Sequence, residues 1–205
     1  MGRGILVDLY SWRQKQDDPA LKEFNCFETS SIPLKDIKAC LAAQGTEVKF
    51  GDILFTRTGK NRLPSGTQYG TKTYTHTQNI LTSNPTGWHA QHAQLPEPKL
   101  RAYQAELPHR FGGVEQSEEM IRWVWDNFSA VAGDQPSFEA WPSREDWALH
   151  EVLLAGYGTP IGELFWLEDL AEACAREGRW SFFVTSEPCN VPGGVASPPN
   201  ILAIF

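Results

Sequence analysis

Strand signals and helix signals alternate along this chain, and that alternation restricts the fold more than any single residue does. ILVDLYSW near the start, VKFGDILFTRTG over 48–59, SAVAGD over 129–134, PIGEL over 160–164 and WSFFVTS over 180–186 are apolar runs of strand length. Between them apolar residues recur at helical spacing. Leu34, Ile37 and Leu41 follow Pro33 and stop at Gly45, with Ser30 or Ser31 as the expected cap. Met120, Ile121, Val124, Trp125 and Phe128 form a second helical face. Ser143-Arg-Glu-Asp146 has the pattern of a capped start for a helix through Trp147, His150, Leu153 and Leu154. LEDLAEACARE runs to a stop at Gly178. Strands and helices in turn predict a mixed α/β fold, and 205 residues suffice for one domain with a core of its own. The tail EPCNVPGGVASPPNILAIF is rich in Pro and Gly but ends apolar, so it is expected to dock.

The stretch from Lys60 to Pro108 breaks the pattern. Thr, Gly, Asn, Gln and Pro dominate it, which predicts a long irregular loop, and loops of that length are more often functional than decorative. It holds His76, Trp88, His89 and His92, with His109 at its end. His89 and His92 could be a metal pair or an oxyanion contact, although solvent-exposed histidines are commoner in such loops.

A net charge of −7 argues against a general nucleic-acid footprint. No apolar run approaches the roughly 18 residues of a membrane span, and a single basic residue before a short apolar run is too little for a secretory signal. Cys26, Cys40, Cys174 and Cys189 have no CxxC spacing and read as reduced thiols of a cytoplasmic protein.

Chemistry concentrates in LHEVLLAGYGTPIGELFWLEDL, from Leu149 to Leu170. His150 precedes the helix end by about five residues, roughly 8 Å, and three strand residues after the turn return roughly 10 Å. A strand folded back along the helix therefore brings Glu163 beside His150. A carboxylate in an apolar setting needs a partner or a metal, and an imidazole with a carboxylate begins a site for Zn or Mn. The plainer alternative is a hydrogen-bonded core histidine and a half-exposed glutamate. Asp134 ends a strand, where a side chain can face a cleft or cap the turn before Pro136. Arg57 ends another strand and could hold an anionic substrate group or an internal ion pair. The GGVASPP segment around Ser197 suggests a tight loop near a site, or turn chemistry alone.

Taken in order, GRGILVDL, GDILFTRTG, AVAGDQPSFEAWP, LHEVLLAGYGTPIGELFWLEDL and TSEPCNVPGGVASPPNILAIF resemble the cyclase-like metal-dependent hydrolases, of which bacterial kynurenine formamidase is the reference, in wording nearest the fungal branch. The resemblance spans nearly the whole chain outside 60–108. It implies a swivelling β/β/α fold in a single domain over 1–205. It also implies a homodimer and a divalent metal, Zn or Mn, serving hydrolysis of an amide or related C–N or C–O bond in a small molecule, in settings such as tryptophan catabolism or secondary metabolism. His150 and Glu163 match the family's C-terminal metal ligands. Arg57, Asp134 and Ser197 become candidates for substrate binding. The family's remaining ligands belong to an HxGTHxDxPxH motif upstream of the GRGILVDL strand. No segment here reads as that motif, so the sequence is expected to be N-terminally incomplete relative to the family. The competing expectation is a catalytically inactive relative that serves as a binding or scaffold subunit.

Overall fold

A computed structural model of the chain describes residues 1–22, 24–59, 88, 92 and 95–205. The first strand, β1 (Gly2–Asp8), buries Ile5, Leu6 and Val7 in succession, the mark of a strand covered on both faces. It sits inside a six-stranded sheet with β3 (Asp52–Arg57), β5 (Phe128–Gly133), β6 (Ile161–Gly162), β7 (Ser181–Ser186) and β8 (Ile201–Ile204), in the order β6-β5-β3-β1-β7-β8. The pairs β1–β3, β3–β5 and β5–β6 are all parallel, so these four strands end at one edge of the sheet. β7 and β8 are added antiparallel. A small second sheet pairs β2 (Ser31–Ile32) with β4 (Gly113–Val114).

Side-chain alternation sends the two faces of the main sheet into different cores. Ile5, Val7, Leu54 and Val131 pack with Ile37 and Leu41 of α3 (Leu34–Ala43) and with Met120 and Val124 of α5 (Glu118–Asn127). Leu6, Phe55, Ala132, Phe182 and Val184 pack with Ala171 and Cys174 of α6 (Glu168–Glu177). Helices thus cover both faces, the mixed α/β arrangement that the sequence pattern implies. Gly178 closes α6 at φ 61°, the left-handed C-cap that favours glycine.

Several boundaries differ from the sequence expectation. β1 stops at Asp8, whose carboxylate caps α1 (Leu9–Gln14) by accepting from the Ser11 amide. Two short elements escaped the apolar pattern: α2 (Pro19–Lys22) and α4 (Glu97–Ala105). Neither buries a residue, so α4 leaves no apolar stripe in what reads as loop. Neither Ser30 nor Ser31 caps α3, because Ser31 is already in β2; the Leu34 amide instead donates to Glu115, 81 residues away, at 3.0 Å. Ser143 starts no helix. Its hydroxyl donates to the Glu145 and Trp147 carbonyls, and helical structure begins at Leu149, passing into a π-helical turn over Glu151–Gly156. The tail does dock, with β8 pairing along β7.

Candidate functional site at the carboxyl edge of the sheet

Four parallel strands deliver charged residues to their shared carboxyl edge. In sheet order, Glu163 follows β6, Asp134 follows β5, Arg57 ends β3 and Asp8 ends β1. Crevices outside the carboxyl ends of parallel strands are the usual ligand sites of such sheets.

His150 and Glu163 do converge: His150 Nε2 lies 3.2 Å from Glu163 Oε1. Sequence reasoning missed the third member, Glu139. Its Oε2 lies 2.7 Å from His150 Nδ1, and its Oε1 accepts from the His150 backbone amide at 3.3 Å. The imidazole is therefore held between two carboxylates. Glu139 is 1% exposed, whereas the side chains of His150 and Glu163 are 35% and 30% exposed. The cluster has a buried back and an accessible front. Local backbone explains it. Glu139 bridges to Val114 of the small sheet, and only a glycine at 113 allows that approach, since a Cβ there would meet the Glu139 carbonyl carbon at 2.3 Å. The Phe138 amide donates to Glu163 Oε1 at 2.9 Å. Leu164, next in sequence, sits at φ 57°, in the left-handed region that is costly for a side chain with a Cβ. Strain of this kind gathers at functional sites, as do π-helical turns such as the one His150 precedes. The one sequence signal for Glu139 was a carboxylate inside the apolar run FEAWP.

Hydrogen bonds to Glu139 and Glu163 push the imidazole up to about 10, against the opposing pull of burial. A protonated imidazole between two ionised carboxylates leaves one negative charge uncompensated. This donor set fits one side of a divalent cation site. With the imidazole neutral, Nε2 and Oε1 at 3.2 Å stand about as far apart as adjacent ligands of a tetrahedral Zn, roughly 3.3 Å. Glu139 would then occupy the outer-shell position that orients a ligating histidine through its other nitrogen. Among the described residues no group of three or more His, Cys, Asp or Glu side chains is disposed to hold a metal ion, so the fit is to a two-ligand edge.

The other candidates are engaged differently. Arg57 is buried and donates through Nη1 to Asp8 at 2.7 Å and through Nη2 to Glu168, in the first turn of α6, at 2.8 Å. Burial alone would lower its pKa, but the two carboxylates outweigh it and hold it above its ordinary value. A substrate anion would have to compete with both. Asp134 accepts from the Thr58 amide at 2.9 Å, the Thr58 hydroxyl at 2.8 Å and the Trp88 amide at 3.0 Å. Burial pushes its carboxyl up while those hydrogen bonds pull it down. It ties the ends of β3 and β5 to Trp88. Ser197 is exposed in the connection that leaves β7 at Ser186, and antiparallel β7 ends at the amino edge of the parallel strands. The topology therefore sets Ser197 apart from the His150 cluster, contrary to the sequence expectation. Of the loop histidines, His76 and His89 lie outside the described residues. His92 stacks on Trp88 at 4.9 Å between ring centroids, and His109 lies against Tyr103 and Phe111, so both belong to an aromatic cluster rather than to the Glu139–His150–Glu163 group.

No family model matches the chain, and no curated protein matches it. Among solved structures it is similar to the crystal structure of a novel cyclase, with a TM-score of 0.69 and 26% sequence identity over 100% of this chain and 54% of that one. The chain therefore has a cyclase-like α/β fold and spans about half the length of the solved cyclase it matches. No helix among the described residues is long and apolar enough to cross a membrane.

Proposed function

We propose that this chain carries one side of a metal-dependent hydrolytic centre of the kynurenine formamidase-like kind, acting on an amide or related C–N or C–O bond of a small molecule. The observation that supports this reading is the line Glu139–His150–Glu163, buried at one end and open at the other. His150 and Glu163 would hold Zn or Mn, and a cation there supplies polarisation of a substrate carbonyl and a lowered pKa for bound water. Glu139 fixes the imidazole ring, and with a cation bound it would hold the remaining proton on Nδ1 and leave Nε2 to face the open side. The Phe138 amide fixes Glu163 by donating to Oε1. A homodimer, a cytoplasmic setting and a role in tryptophan catabolism or secondary metabolism accompany this reading as proposals.

A second reading has a specific observation in its favour: only two donors converge on the open side among the described residues. A non-catalytic binding or scaffold subunit would keep the fold and have no use for a cation. Metal analysis after equilibration with Zn or Mn, paired with hydrolysis assays on N-formylkynurenine and simple aryl amides, separates the two. The hydrolase reading expects metal retention that Glu163→Gln abolishes, together with turnover. Protein that stays metal-free in excess Zn and Mn, with no turnover, leaves the subunit reading.

A further inference from the structure

One fully buried polar side chain is bonded to both segments that carry the cluster's carboxylates, without belonging to the cluster. Gln135 follows Asp134 in the connection that leaves β5. Its Nε2 donates to the Phe138 carbonyl at 3.1 Å and to Thr56 Oγ1 at 3.4 Å. Its backbone carbonyl accepts from the Leu164 amide at 3.1 Å. Phe138 and Leu164 are the sequence neighbours of Glu139 and Glu163, the two carboxylates that hold His150. Phe138 also reaches Glu163 directly, through the amide that donates to Oε1. One residue therefore braces both arms and ties them to β3, where Thr56 in turn donates to the Ala132 carbonyl of β5 at 3.2 Å. Core packing alone does not account for an amide here. Burying one is costly unless its groups are bonded, and Gln135 Oε1 is buried with no hydrogen-bond partner. Without Gln135 the Phe138 carbonyl would keep a donor, because the Val114 amide bonds the same oxygen at 2.9 Å. An apolar side chain of equal length would thus fill the space and strand no oxygen. What it would lose is the second anchor on the Phe138 peptide, which an ionised glutamate, having no donor, could not supply either.

We infer that Gln135 is a positioning residue for the Glu139–His150–Glu163 cluster, acting through the Phe138 peptide and the Leu164 amide. What the cluster can do depends on where its carboxylate oxygens stand relative to the imidazole, and small misplacements of such groups are costly. Gly133 makes room for the brace, since a Cβ there would meet Gln135 Oε1 at 2.3 Å. The inference rests on the hydrolase reading only where a cation is concerned, because bracing the two carboxylates requires none. The plainer competitor is a glutamine that merely fills the core at the end of β5.

Gln135→Met and Gly133→Ala test this from two sides, the first by removing the amide and the second by pushing it off its partners. Amide hydrogen exchange in the metal-free full chain is followed at Phe138 and Leu164, with Leu54 in the middle of β3 as reference. Positioning requires exchange at Phe138 and Leu164 to quicken about tenfold, the scale of one hydrogen bond, while Leu54 is unchanged. Uniform quickening at all three amides, or none at any, would overturn the inference and leave Gln135 a core residue. Should Gln135→Met fail to fold, Gly133→Ala carries the test, since only the end of the Gln135 side chain stands in its way. Calorimetric titration with Zn separates the inference from the reading it serves. Both variants should bind Zn about 10–100-fold more weakly, as outer-shell changes do. A parent chain that binds Zn, with variants that bind it equally well, would also overturn the inference. A parent chain that binds no Zn counts against the hydrolase reading instead, and selective exchange at Phe138 and Leu164 then still supports the brace.

Discussion

The two halves of the carboxyl edge use the same chemistry to opposite ends. At the β1–β3 end, Asp8, Arg57 and Glu168 form a closed ion network: the arginine is buried, its Nη groups donate to carboxylates, and Asp8 also caps α1. At the β5–β6 end, Glu139, His150 and Glu163 form an open one: one carboxylate is buried, but the imidazole and the outer carboxylate are about a third exposed. Both rows place cation between anions. Each row sets one cation against two carboxylates, so the difference is whether that charge is shielded from water. A shielded network resists change, whereas an open cluster can exchange its proton for a ligand. Ion pairs at strand ends are thus not evidence of a site in themselves; charge with access is.

The largest expected effect tests the closed end. Arg57→Met leaves Asp8 and Glu168 without their cation in a buried setting, and should cost about 3–5 kcal/mol in chemical denaturation. Loss of under about 1 kcal/mol, the range of exposed pairs, would mean that the network is not closed and that Arg57 is free to serve a ligand after all.

The open end should answer in binding rather than in stability. Glu139→Gln keeps the shape of the buried partner but removes its charge, and outer-shell changes of this kind typically cost 10–100-fold in metal affinity. Measured by calorimetric titration with Zn, an unchanged affinity would detach Glu139 from the cation. His150→Asn should abolish Zn uptake yet cost less in unfolding free energy than Arg57→Met, since the imidazole and Glu163 are partly solvated. If His150→Asn destabilised the chain as much as Arg57→Met, the contrast between the two ends would be lost and the cluster would be better read as structural.

How far the sequence foretold this edge depends on the kind of signal each residue carried. Ile5, Leu6 and Val7 announce a doubly buried strand because burial on both faces removes alternation. His150 and Glu163 could be paired because a turn between two elements constrains where both must go. Glu139 could not, since its place depends on a bridge to Val114 and on Gly113, contacts that no periodicity encodes. The same applies to Glu115, which caps α3 from another element, and to the partners of Arg57. Long-range polar contacts are where a reading of local pattern stops, and here they decide which charges are committed and which are available.

The smallest effect has the most telling sign. Leu164 holds φ at 57° directly after Glu163, and its amide donates to the Gln135 carbonyl at 3.1 Å while the Phe165 amide donates to the Gly133 carbonyl at 3.1 Å. A left-handed residue with a Cβ costs about 1–2 kcal/mol, and glycine would relieve it at an entropic cost of about 0.5–1 kcal/mol in the unfolded chain. Leu164→Gly should therefore be neutral or stabilise by up to about 1 kcal/mol. If the strain exists to aim Glu163, the same substitution should weaken Zn binding, because the carboxylate then has more backbone freedom to lose when a cation is held. A variant that gained stability and kept full affinity would show that the turn merely connects β6 to α6, leaving the aim of Glu163 to the Phe138 amide alone.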